Sequence, residues 1–147
     1  MKVFLSTAIT RGRREYVDAV KRIVAVLKEE GAEVLNDRVS DPGFPGPTVD
    51  RSQTMREVCD WLGQADALVA EATISSTGIG AEVTTVQIRD KPVLLLYDAH
   101  FGFRISDWVV HNPYANVEAQ PYRDLNDIER LVREFSKSAR ERAGRTS

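Results

Sequence analysis

The sequence predicts an α/β domain: a five-stranded parallel sheet with helices on both faces. Three observations predict it. Short apolar runs alternate with longer stretches whose apolar residues recur at helical spacing. The apolar runs are continuous rather than alternating, as strands buried on both faces are. The chain has 147 residues, 42% hydrophobic and 29% charged, which suits one globular domain. Together these describe a flavodoxin-like or Rossmann-like sheet.

Val3 to Thr7 reads as a buried first strand. Arg13 to Glu30 follows as a helix, with Val20, Ile23, Val24 and Leu27 on one face and Gly31 as its stop. Glu33 to Leu35 is a short second strand. Residues 37–50 hold three prolines and two glycines, which predicts a loop. Asp50 with Gln53 resembles a capping box opening a second helix to about Gly63, with the apolar stripe Met55, Val58, Cys59, Leu62. Asp66 to Glu71 is the third strand and Ile79 to Arg89 the third helix. Lys91-Pro92 turns the chain into VLLLY, a fourth buried strand. Residues 98–115 read as irregular, with one helical turn near Ser106. Asn116 to Ala119 forms the last strand. Asp124 caps a final helix carrying Leu125, Ile128, Leu131, Val132 and Phe135. Residues 1–136 then form the single domain, and 137–147, KSARERAGRTS, a polar, frayed tail.

Composition excludes several classes of function. A net charge of −2 gives no footprint for a nucleic acid polymer or a membrane surface. The single cysteine, Cys59, builds no internal disulfide and fits a reducing compartment. The apolar run before RGRRE is too short for an export signal, and no stretch approaches a transmembrane span. The expectation is a cytoplasmic protein. His100 and His111 lack partners at metal-ligand spacing, so no metal site is expected.

In such folds ligands bind at the carboxyl ends of the strands. In the first loop, Arg11, Gly12, Arg13 and Arg14 sit where a strand meets a helix N-terminus. Forked guanidinium donors there suit phosphate oxygens; a solvated basic turn has the same composition, and the two readings stay open. Neither the G-x-G-x-x-G fingerprint nor a Walker loop is present.

The loop after the third strand offers Ser75, Ser76 and Thr77, then Gly78 and Gly80, which admit a ligand close to the backbone. A plain helix cap has the same composition, with Glu82 as a first-turn acid. That placement also favours an ionised Glu82, from helix N–H groups and nearby arginines. A charged carboxylate beside a small pocket can act as a nucleophile or stabilise positive charge, as glycosyl transfer requires.

The run DWLGQADALVAEATISSTGIGAEV, residues 60–83, resembles the strand–loop–helix signature of the nucleoside 2-deoxyribosyltransferase superfamily, in particular the 2′-deoxynucleoside 5′-phosphate N-hydrolases. The resemblance runs from KVFLSTAI through KPVLLLY to FRIS, about three-quarters of the chain. It implies that Glu82 attacks the anomeric carbon and displaces the base. It implies that Ser76 and Gly78 hold the 5′-phosphate with the arginine-bearing first loop (Arg11, Gly12, Arg13), that Gly80 leaves room, and that Thr7 and Ile9 line the sugar and base side. Ser106 would complete the phosphate site from the neighbouring subunit of a homodimer. Transferases of free nucleosides carry an acid at the position of Ser76, so Ser76 favours a phosphorylated substrate. No cofactor is implied.

Four positions depart from that pattern. Phe4 stands where the hydrolases have a tyrosine and Ala8 where they have a serine. Their loop arginine falls on Thr10 and is recovered at Arg11 by a one-residue shift. Val58 stands where they have a helix-two aspartate; Glu57 and Asp60 point roughly 100° and 200° away from it. The leading expectation is hydrolysis of a (deoxy)nucleoside 5′-monophosphate to free base and (deoxy)ribose 5-phosphate. The alternatives are base exchange between deoxynucleosides, a nucleotide-binding module with little catalysis, and a flavodoxin-like domain for another ligand.

Overall fold

The structure, a computed structural model, describes residues 1–9, 16–44, 50–114 and 116–145. Five strands form one all-parallel sheet: β1 (Lys2–Thr7), β2 (Glu33–Leu35), β3 (Ala67–Glu71), β4 (Val93–Asp98) and β5 (Val117–Tyr122). Their order is β2-β1-β3-β4-β5, the flavodoxin-like order, which reverses between β1 and β3. Five helices connect and follow them: α1 (Val17–Glu29), α2 (Arg51–Gln64), α3 (Thr77–Gln87), α4 (Asp107–His111) and α5 (Leu125–Arg145).

The sheet separates two cores. On one face Val3, Leu5, Val69, Leu94 and Leu96 pack against α1 and α5. On the other, Phe4, Leu68, Ala70, Val93 and Leu95 meet residues of α2, α3 and α4, including Leu62, Val83 and Val109. Strand alternation therefore assigns every later strand position to a face. Ser6 follows Phe4 onto the α2/α3 face. Thr7 follows Leu5 onto the α1/α5 face, beside its register partner Glu71.

The helix ends follow local chemistry. Gly31 takes φ 73° after α1, and the Ala32 amide returns to the Leu27 carbonyl, a left-handed stop that glycine makes cheap. Asp50 accepts from the Gln53 amide at 3.0 Å and caps α2. Asp124 accepts from the Asp127 amide at 2.8 Å before α5. Asp66 is a turn acid, accepting from the Lys2 amide at 2.7 Å.

Several sequence expectations change. The loop predicted over 37–50 contains a 3-10 turn, Asp37–Ser40, held partly by the Ser40 hydroxyl on the Asp37 carbonyl. The stripe predicted for α2 is mostly outside: Met55 is 49% exposed, Cys59 is exposed and only Leu62 is buried. The final strand runs on through Pro121 to Tyr122; Pro121 is tolerated because β5 is an edge strand. The tail predicted to fray from 137 is helical through Arg145. Ala139 is buried, Arg140 donates to the Glu30 carbonyl and Arg142 to the Asn116 side chain. Two of its arginines thus tie the helix to the end of α1 and to the residue before β5.

Candidate active site

α3 begins at Thr77, two residues earlier than the sequence suggests, because Ser76 is its cap: the Ser76 hydroxyl accepts from the Gly78 amide at 3.2 Å. This moves Glu82 to the sixth helical position, beyond the first turn, where the helix dipole has faded. Glu82 is therefore no first-turn acid. It projects toward β1, where the Ser6 hydroxyl donates to Glu82 Oε2 at 2.5 Å.

The electrostatics of Glu82 also differ from expectation. Burial raises its pKa above the usual carboxylate value, and the Ser6 hydrogen bond only partly opposes this. The physical reason is position: the half-buried carboxylate sits between helix and sheet, with the Ser6 hydroxyl as its hydrogen-bond donor.

The other side of α3 borders a groove of about 660 Å³ between α3, the carboxyl ends of β3 and β4, and α4. Ser75, Ser76, Gly80 and Ser106 line it, with Ile74, Ile79, Ile105 and Trp108 supplying apolar wall. Gly80 and Glu82 differ by two helical steps, about 200°, so the groove and the carboxylate occupy different flanks of α3. A Cβ placed on Gly80 would meet nothing within 4 Å. Ser75 donates to the Arg104 carbonyl at 3.1 Å and ties the loop after β3 to the loop before α4. Ser106 opens α4 through its main chain, and its hydroxyl makes no cap bond.

The structure thus gathers Ser76, Gly78, Gly80 and Ser106 around the start of α3, with Glu82 about 6 Å further along the helix than Gly78 at 1.5 Å per residue. Thr7 lies at the end of β1, but its side chain is on the opposite face from Glu82, and Ile9 packs against the α1/α5 core. Contacts from these two to a ligand beside Glu82 would come from backbone. Arg11, Gly12 and Arg13 lie outside the described residues, as do Thr10 and Arg14.

Val58 packs against the α2/α3 core, so no register slip brings an acid into its place. Its neighbour Glu57 pairs with Arg38 at 3.2 Å, and that guanidinium sits 4.8 Å over the Trp61 ring. Among the described residues, no cluster of three or more His, Cys, Asp or Glu could hold a metal ion, and no helix is long and apolar enough to cross a membrane.

Sequence reading missed two residues. Ser6 falls inside the run predicted as the first strand, and its partner lies 76 positions away. Glu71 closes the run predicted as the third strand. It is 2% exposed and accepts from the Thr73 hydroxyl and, at 2.9 Å, from Tyr122. Its alternation with Ala70 puts it on the α1/α5 face, away from Glu82.

No known family profile matches the chain. It is 33% identical over 136 residues to the Methanosarcina barkeri protein named "Putative 2'-deoxynucleoside 5'-phosphate N-hydrolase 1", covering 91% of this chain and 84% of that one. It is 33% identical over 142 residues to the 5-hydroxymethyl-dUMP N-hydrolase of Tetraodon nigroviridis, covering 92% and 96%. Among solved structures, Clostridium botulinum CMP N-glycosidase superposes with a TM-score of 0.68 at 17% identity, covering 92% of this chain and 99% of that one. That likeness speaks for the fold, and the sequence relatives speak for descent. The chain belongs to the 2′-deoxynucleoside 5′-phosphate N-hydrolase family.

Proposed function

We propose that this chain hydrolyses the N-glycosidic bond of a (deoxy)nucleoside 5′-monophosphate, releasing free base and (deoxy)ribose 5-phosphate. The observation that carries the reading is the placement of Glu82. A half-buried carboxylate, held by one hydroxyl, stands one helical turn behind a helix start bearing Ser76 and Gly78. The helix start supplies main-chain N–H groups for a phosphate, and the gap to Glu82 is about a sugar's width.

The chemistry follows from that spacing. Glu82 Oε1 forms a bond to the anomeric carbon as the bond to the base nitrogen breaks, and the base leaves with the electron pair. Water then attacks the anomeric carbon and frees the carboxylate, with its proton passing to solvent. Burial makes Glu82 a stronger nucleophile than a solvated carboxylate once it is ionised. With Val58 in place of an acid and Glu57 engaged by Arg38, the departing base takes its proton from water. Arg11 and Arg13, with Ser76 and Gly78, are the proposed phosphate ligands.

The proposed assembly is a homodimer in which Ser106 serves the partner's site. Two features support it. Ser106 lies on the groove flank of α3 and not on the flank of its own Glu82. Trp108, two residues on, is 61% exposed on an apolar wall.

The test is a panel of ribo- and deoxyribonucleoside monophosphates with free base as the readout. At least one releases base, and Glu82→Ala slows that release by on the order of 10³-fold or more. Base release as fast as wild type from Glu82→Ala removes the mechanism. The second reading, a binding module without catalysis, draws on the apolar Phe4 and Val58. Tight nucleotide binding with no base release from any member of the panel would favour it. A new nucleoside formed on adding a second free base would favour base exchange.

A further inference from the structure

We propose that Ser6 is a positioning residue for Glu82: its hydroxyl holds Oε2 and thereby presents Oε1 to the anomeric carbon. This rests on the reading of Glu82 as the nucleophile.

Ser6 is 1% exposed in a strand whose preceding residues, Val3, Phe4 and Leu5, are wholly buried hydrocarbon. A hydroxyl there must find a partner, and the partner is a side chain from α3 at 2.5 Å. Phe4, on the same sheet face one repeat earlier, brings no hydroxyl. Ala70, the register partner of Ser6, brings none either.

A glutamate on a helix has three side-chain torsions to fix, and attack requires one oxygen at the carbon with the other turned away. One short bond to Oε2 fixes the plane of the carboxylate. The bond also outlasts the attack. When Oε1 joins the anomeric carbon, Oε2 becomes the carbonyl oxygen of the glycosyl ester and still accepts from Ser6. When water releases the sugar, the returning negative charge finds the same donor in place.

Among the described residues, the other charged groups around Glu82 are turned elsewhere. Glu82 is the one titratable residue of α3. Glu57 of α2 faces Arg38, and Arg89, after α3, donates to the carbonyls of Leu62 and Ala65. Tyr97 of β4 meets Phe103 edge-on, while Glu71 stands on the other face of the sheet. Asp107 and His111 of α4 are exposed. Among the described residues, burial and Ser6 are what act on the Glu82 carboxyl. Ser6 favours the charged form, so its loss moves the titration of Glu82 to higher pH.

The experiment compares wild type with Ser6→Ala and Ser6→Thr on the best substrate of the panel. Ser6→Ala is expected to lower kcat by roughly 10- to 100-fold with KM little changed, and to move the acid limb of kcat/KM to higher pH. Ser6→Thr, which keeps the hydroxyl, restores much of the rate and returns the limb. A second readout needs no turnover. In protein labelled with carbon-13 at the glutamate carboxyls, the Glu82 signal, assigned by its loss in Glu82→Gln, titrates at higher pH in Ser6→Ala. An unchanged kcat with an unchanged midpoint overturns the proposal, even if Ser6→Ala lowers thermal stability. If wild type releases no base from any nucleotide, the functional reading fails first, and the midpoint alone still decides whether Ser6 holds Glu82.

Discussion

Glu71 and Glu82 leave the sheet region on opposite faces, and both are pushed above the usual carboxylate pKa, chiefly by burial. Their partners separate them. Glu71 Oε1 accepts from the Thr73 hydroxyl and amide and from Tyr122, while the Thr73 hydroxyl accepts from the Asp98 amide at 2.8 Å. That cluster ties together the ends of β3, β4 and β5. Tyr122 is itself pushed far upward, first by burial and then by the Glu71 charge, so it stays a donor. Glu82 has one hydroxyl, that of Ser6, and is the carboxylate proposed to react. Glu71 has a consequence for stability. Its folded pKa is raised above the unfolded value, so its contribution is fully present below the unfolded pKa of about 4.3 and is lost as pH rises through the folded pKa. Glu71→Gln keeps an acceptor for Tyr122 and carries no charge. Urea midpoints of the two proteins between pH 4 and 8 should therefore shift steadily in favour of Glu71→Gln as pH rises. A difference independent of pH would show that folding leaves the pKa of Glu71 unshifted.

At the scale of elements, α3 has to be a helix and leave space at once. Gly78 and Gly80 in its first half cost helix stability, by roughly 0.5–1 kcal/mol each relative to alanine. A Cβ on Gly80 meets no neighbour, so the chain's own packing does not demand glycine there. Gly80→Ala should thus stabilise the fold by about 0.5–1 kcal/mol in urea unfolding. Any accompanying rise in KM would then reflect a ligand or a partner chain in the groove, since packing within the chain is unstrained. A destabilised Gly80→Ala would mean that the groove is narrower than its geometry indicates.

The strands were legible because continuous apolar runs such as VFL and VLLL have no other use in a chain of this composition. The stop at Gly31 and the caps at Asp50 and Asp124 were legible because their chemistry is local. Ser6 and the Glu71 cluster were not, since each depends on sheet register and on residues far away in sequence. The α2 stripe misled because Met55 and Cys59 have helical spacing and yet are exposed among the described residues. The tail misled in the other direction. Its composition is polar, yet Ala139 reaches the core, and Arg140 and Arg142 bond to Glu30 and Asn116.

At the scale of the whole molecule, the sheet presents its carboxyl edge to the site and lets α3 divide that site into two flanks. One flank holds Glu82 against β1; the other opens into the groove with Ser106. A single chain therefore leaves its own Ser106 across the helix from its own Glu82, the proposed nucleophile. In the proposed dimer each site takes Glu82 from one chain and Ser106 from the other. Two inactive variants should then rescue each other. Glu82→Ala lacks the nucleophile in both of its sites, and Ser106→Ala lacks the donated hydroxyl in both. When the two are unfolded, mixed in equal amounts and refolded, half of the dimers are mixed. Each mixed dimer carries one site with both residues intact and one with neither. Activity should recover toward about a quarter of wild type, with the intact sites showing the wild-type KM. If Ser106 instead serves its own chain, every site in the mixture carries one defect, and activity stays at the average of the two variants. The comparison is sharpest at subsaturating substrate, where a lost phosphate contact lowers the rate most.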